Sequence, residues 1–191
     1  MVPQQTDVPV GNRSDYAVSR DFCRIFAEDL NGLYTLSFLL TAEPSRAEKC
    51  FVQALEDCLV AARVFKDWAR AWARRAVIQN AVRLLQPALE PRPVSVTALD
   101  AETAVAADPS VRLSAIFQLK TFERFVFVMS VLERCSDHEI TVLLGCSRRD
   151  VIRARSRAME RIAKVAEKGR AAVAFGAGAL LGNTGLAAKT A

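Results

Sequence analysis

The chain has 191 residues, 51% of them apolar and 25% charged, with a net charge of +5. A single histidine, no nucleophile–base constellation and no glycine-rich phosphate loop disfavour an enzyme, because acid–base and phosphate chemistry need such groups in clusters. Glycine (8) and proline (7) are scarce beside Ala, Leu, Arg and Val. Such side chains lose little rotamer freedom in a helix, so the composition predicts an all-α fold.

Five cysteines, an odd number without a CxxC pair, are expected as small buried hydrophobes in a reducing cytoplasm. With one histidine and scattered thiols, neither a metal nor another cofactor is expected.

Residues 1–15 lack the charged start and apolar core of a signal peptide and are expected to form a flexible arm. The first domain is placed at 16–86. Within it, "SRDFCRIFAEDLNGLYTLSFLL" carries Phe22, Ile25, Phe26, Leu30, Leu33, Leu36 and Leu40 at helical spacing, with Ser19 as its expected N-cap. The Asn31-Gly32 pair is expected to bend or split this helix. After "TAEP", Ser45 and Glu48 present the S-x-x-E pattern of a capping box opening the next helix. A third helix, "KDWARAWARRAVIQNAVRLL", shows Trp68, Trp72, Val77, Ala81 and Leu84/Leu85 as its expected packing stripe, with Arg, Gln and Asn on the other faces.

Residues 87–112 hold four of the seven prolines and an acidic balance, which predicts a linker between two small helical domains. The second domain is placed at 113–168 and opens on "LKTFERFVFVMSVLERC". That run is read as a helix rather than a strand because it is long, with charges recurring at Glu123, Arg124, Glu133 and Arg134. The end, 169–191, is an Ala/Gly-rich tail too short and too broken for a membrane span, and is expected to fray.

Residues 136–162, "SDHEITVLLGCSRRDVIRARSRAMERI", hold the most informative pattern. Ser136 and Glu139 make one capping box, and Ser147 and Asp150 make another. Between them Gly145 occupies the position where a helix ends in the left-handed conformation that glycine adopts cheaply. Ile140, Leu143 and Leu144 supply one apolar face. Val151, Ala154, Ala158, Ile162 and Val165 supply the next. Helix, glycine turn and helix in this spacing predict a helix-turn-helix. From Arg148 to Arg170 nine Lys/Arg face three Asp/Glu, so the second helix is also the most basic segment. Ser147, Arg148, Arg149, Arg153 and Arg157 are the candidate DNA contacts, since a recognition helix meets bases and phosphates near its N-terminus.

From Leu119 to Lys164 these residues resemble region 4 of sigma-70-type transcription initiation factors, particularly the extracytoplasmic-function group. The apolar "FERFVFVMSVLERCS" helix precedes "SDHEI", "LLG", a serine and a valine, as in that family. LuxR-type regulators share part of this pattern. Upstream, "LYTLSFLLTAEPSRAEKCFVQALEDC" and "FKDWARAWARRAVIQNAVRLL" resemble sigma region 2, through Leu33–Leu40, Ala47–Glu48, Phe65, Trp68 and Trp72–Arg74. Together the two resemblances cover nearly all of Ser19 to Lys168.

The resemblance implies a cytoplasmic protein that binds RNA polymerase core and promoter DNA, with an anti-sigma factor as a further partner. The first domain would dock on polymerase through Glu48, Glu56 and Asp57 and help open the −10 element. Trp72, Arg74, Arg75, Gln79, Asn80 and Arg83 are its candidate DNA groups, since stacking and phosphate-binding side chains suit melted strands. The second domain would bind the −35 element. The chain departs from the family at Lys49, where an acid is usual, and in "DVIRARSRA". There Ile152 and Ala154 replace usual cations, and Arg155 replaces a usual core leucine. Ile152 suits either a thymine methyl or packing. Two other readings stand beside the sigma factor: a sigma-derived helix-turn-helix regulator without productive polymerase binding, and a helical protein-interaction module.

Overall fold

The computed structural model describes residues 15–61, 63–88 and 109–181, with the side chains of the last stretch from 113 to 168. It is all-α. Among the described residues there is no strand, only an isolated bridge between Tyr16 and Phe65. The chain divides into two compact units, Met1–Leu85 and Gln86–Ala191.

The first unit contains α1 (Ser19–Glu28), α2 (Leu30–Thr41), α3 (Pro44–Val60) and α4 (Ala69–Leu85), the last entered through a short 3-10 turn at Lys66–Trp68. Phe22, Leu33, Leu40, Cys50, Cys58 and Val77 are fully buried at its centre. α3 buries Ala47, Cys50, Ala54 and Cys58, and α4 buries Ala69, Ala73, Ala76, Val77, Ile78 and Ala81. These predominantly small faces let the two helices pack closely, and the Cys50 thiol donates to the Val77 carbonyl at 3.4 Å. Burial pushes the Cys50 and Cys58 thiols up to about 11, which makes both inert. Cys23, by contrast, is exposed.

Three expectations about helix starts are corrected. α1 begins at Ser19 itself, and its opening backbone N–H, that of Val18, donates to the Asp21 carboxylate at 3.0 Å. The Ser19 hydroxyl instead donates to the Leu59 carbonyl. α3 begins at Pro44, whose fixed φ suits the first helical position, so Glu43 is the cap residue and Ser45 donates to the Glu43 carboxylate at 2.8 Å. The break between α1 and α2 falls at Asp29 rather than at Asn31-Gly32. Gly32 has a different use: a Cβ there would lie 2.1 Å from Asp29 Oδ1, so the missing side chain leaves room for that carboxylate.

The second unit contains α5 (Pro109–Phe117), α6 (Thr121–Phe127), α7 (Asp137–Leu144) and α8 (Arg148–Leu181), with a π turn at Val128–Leu132 prolonging α6. α5 thus starts inside the stretch expected as linker. α8 continues through the first part of the Ala/Gly-rich tail. Residues 89–108, most of the expected linker, lie outside the described residues, as does most of the N-terminal arm. α5 and α6 both pack on α8. Phe125, Val126, Val128, Met129, Ile140 and Val151 are fully buried between these helices.

Glu123 and Arg124, whose recurring charges helped mark this run as a helix, are buried at 5% and 6% exposure. Glu123 is met by Arg161 of α8 at 3.2 Å. The Arg124 guanidinium donates to the Leu119 carbonyl at 3.4 Å, and desolvation lowers its pKa from the ordinary value. A buried charge is tolerated only with such partners.

Candidate nucleic-acid interface

The helix-turn-helix closes as its residues predict. Ser136 accepts from the Glu139 backbone N–H at 3.2 Å, and the Glu139 carboxylate takes the Ser136 backbone N–H at 2.9 Å. Gly145 ends α7 at φ 61°, ψ 35°, in the left-handed region. Two residues later Ser147 accepts from the Asp150 N–H at 3.2 Å and donates its own proton to the Asp150 carboxylate at 2.6 Å. The turn is therefore pinned by a cap on each side of one glycine.

α8 turns Val151, Ala154 and Ala158 inward. At about 100° per residue the opposite side carries Arg149, Arg153 and Arg157 as one row, with Ser156 and Glu160 between them and Lys164 beyond. All of these are exposed. Arg149, Arg153 and Arg157 have no carboxylate partner among the described residues, in contrast to the other three arginines from Arg148 to Arg161. Arg148 reaches Asp137 at 3.4 Å, Arg155 is hydrogen-bonded to Asp137, and Arg161 meets Glu123. Ser147 has its hydroxyl proton committed to the cap, so of the five candidates here three stand as uncommitted cations. Ile152 is 47% exposed at the edge of the row, outside the fully buried core. Burial raises the Cys146 thiol in the turn above its ordinary value.

In the first unit the six candidates separate. Trp68 is 68% exposed and Trp72 41% exposed, which overturns their expected place in the packing stripe. The helix buries its small residues because α3 approaches there, and an indole would hold the two backbones apart. With Arg75, Gln79 and Arg83 the two tryptophans form one outward row at steps of three and four. Phe65 extends it, packing edge-on against Trp68 at 5.9 Å and stacking on Tyr16 at 4.8 Å. This aromatic stretch is legible in the sequence only as composition, since its exposure depends on where α3 lies.

Arg74 points to another side of α4 and pairs with Asp29 at 3.2 Å. Asn80 is corrected as a DNA group: it is 3% exposed, and its amide nitrogen donates to Asp57 and to the Ala76 carbonyl, both at 2.9 Å. Arg83 donates to the same Asp57 oxygen at 2.6 Å. Asp57, expected on the polymerase face, is thus held between two residues of α4, whereas Glu48 and Glu56 are exposed. An open cleft of about 360 Å³ lies here, lined by Lys49, Glu56, Asp57, Asn80 and Arg83 among others.

Among the described residues no group of three or more His, Cys, Asp or Glu side chains is placed to hold a metal ion, and no helix is long and apolar enough to cross a membrane. No family model and no curated protein matches this chain. Its function is therefore read from its residues and their geometry.

Proposed function

We propose that the chain is a transcription initiation factor of the sigma-70 type, in the extracytoplasmic-function group, acting in the cytoplasm without catalysing a reaction. The observation that carries this reading is the row Arg149, Arg153 and Arg157: three exposed arginines without carboxylate partners among the described residues, on the outward face of the second helix of a capped helix-turn-helix. That face suits the major groove, where arginine reads guanine edges and phosphates. In the same reading the second unit binds a −35 element. The first binds polymerase core through Glu48 and Glu56 and offers Trp72, Arg75, Gln79 and Arg83 to −10 DNA. Pull-down with core polymerase, followed by run-off transcription, tests it. A chain that fails to bind core where a known sigma factor binds is no active sigma factor.

One observation favours a second reading, a sigma-derived regulator that binds DNA without engaging polymerase. Lys49 is exposed beside Glu48, and Asp57 is neutralised by Arg83, so the acidic surface of α3 is weakened. Sequence-specific DNA binding in the absence of core supports this alternative. Absence of DNA binding together with capture of a helical protein partner supports an interaction module instead.

A further inference from the structure

Two arginines of α8, seven residues apart and so on one side of the helix, converge on a single carboxylate. Asp137, the first residue of α7, accepts from the Arg155 guanidinium through Oδ1 and from Arg148 Nε at 3.4 Å through Oδ2. The Asp137 side chain is 22% exposed and that of Arg155 34%, whereas Arg148 is 77% exposed. The Asp137–Arg155 link is the inner, more sheltered of the two.

The packing of α7 explains why this link matters. Ile140 is the only fully buried residue of α7; Leu143 and Leu144 are half-buried, and Val142 is 62% exposed. One fully buried side chain, with half-buried leucines only toward the C-terminal end, leaves the N-terminal end of this short helix weakly held. Asp137 lies one turn before Ile140, at i and i+3, and so gives α7 a second point of attachment to α8 on the same side. The glycine turn joins the helices at the far end. Three points, Asp137–Arg155, Ile140 and Gly145, then define the crossing.

We propose that Asp137 and Arg155 form a positioning pair that sets the crossing of α7 on α8, and with it the direction in which Arg149, Arg153 and Arg157 face DNA, while neither touches DNA itself. Arg155 therefore differs in role from its neighbours Arg153 and Arg157 despite sharing their charge. This inference rests on the DNA-binding reading of the second unit.

Charge and position predict opposite signs, which makes the test decisive. Asp137→Asn removes a negative charge near a DNA-binding face, and Arg155→Gln removes a positive one. If the two residues act only through the net field, the first variant binds DNA more tightly and the second less. A positioning pair instead requires both to weaken binding, by roughly five- to tenfold, with the double variant no worse than either single one, as coupled residues behave. The probe is a duplex that the full-length parent chain selects from a random-sequence pool, alone or, if it selects none alone, with polymerase core present, and unselected duplex is the reference. Loss is expected on the selected duplex more than on the reference, since misdirection damages base readout more than phosphate attraction. Ellipticity measured on each variant reports folding. If Asp137→Asn unfolds the unit, Arg155→Lys takes its place: it keeps an ion pair and should bind within about twofold of the parent. Tighter binding by Asp137→Asn, or equal losses for Arg155→Lys and Arg155→Gln, overturns the proposal. A parent chain that selects no duplex, either alone or with polymerase core present, sinks the DNA-binding reading first, and this inference with it.

Discussion

Asn80 of α4 and Asp57 of α3 are joined by a 2.9 Å hydrogen bond from the buried Asn80 amide, and the same carboxylate oxygen accepts from Arg83 at 2.6 Å. This arrangement ties the two helices across their solvent edge and leaves Asn80 without an outward face. Asp57→Ala strips the Asn80 amide of one of its two acceptors, and an underpaired buried donor costs about 1–2 kcal/mol. Urea denaturation of the variant should show a loss of that size. A loss under about 0.3 kcal/mol, the scale of a neutral surface change, means the bond carries no stability.

Arg149→Ala and Arg153→Ala should each weaken DNA binding. A base-edge contact costs about 1–3 kcal/mol and relaxes one position of the site, whereas a phosphate contact weakens all sequences alike. In the second case the slope of log affinity against log salt falls in magnitude by roughly 0.9 for each phosphate that is no longer neutralised. Fluorescence anisotropy across a salt series separates the two. Unchanged affinity in both variants places the DNA face elsewhere.

Gly145 has φ +61° and no atom within 4 Å of where a Cβ would stand. Substitution there meets backbone strain without steric contact. Gly145→Ala is expected to lower stability by about 1 kcal/mol, and Gly145→Val by more, because a β-branched residue resists positive φ. Thermal unfolding followed by ellipticity checks the order. Equal stability of all three forms means the turn relaxes to another conformation.

Stability of the second unit should respond to acid through Asp137. Hydrogen bonding by Arg155, with added attraction from Arg155 and Arg148, holds the Asp137 carboxyl below its ordinary value of 3.8, although desolvation opposes the shift. A depressed folded pKa contributes stability that is complete above the unfolded value and is lost as pH falls through the folded one. The stability difference between the parent and Asp137→Asn should therefore shrink as pH is lowered below about 4, where carboxylates protonate. A difference that stays constant from neutral to acid pH contradicts this.

Trp68 is mostly exposed and touches Phe65 edge-on. Trp68→Ala is expected to cost less than about 1 kcal/mol, where a core tryptophan costs about 3–5 kcal/mol. Chemical denaturation distinguishes them. The two tryptophans are the only ones in the chain, so acrylamide should quench its native fluorescence efficiently; a shielded, blue-shifted emission contradicts their exposure.

The helix-turn-helix is legible in the sequence almost residue by residue. Ser136, Glu139, Gly145, Ser147 and Asp150 act through bonds between near neighbours in the chain, and local backbone geometry needs nothing from the rest of the protein to bring them together. Helical periodicity likewise marks Phe22, Ile25, Leu33 and Val77 as interior. Ser19 and Ser45 show the limit of such signals. Each is a good capping residue displaced from the cap by a neighbour: Asp21 takes the Val18 N–H in one case, and Pro44 starts the helix early in the other.

By itself, then, the sequence determined the helical class, the capped turn and the arginine-rich outward face, because short-range hydrogen bonds and 3.6-residue periodicity specify them. Tertiary structure alone decided which polar groups are spent inside the protein. Asn80, Asp57, Glu123, Arg124 and Arg155 look like surface residues in the chain, yet each is claimed by a partner from five to thirty-eight residues away. Tertiary structure also turned Trp68 and Trp72 outward, since only the close approach of α3 selects alanine over indole for the buried face of α4. Burial and pairing across helices depend on which faces meet, and one-dimensional spacing does not record that.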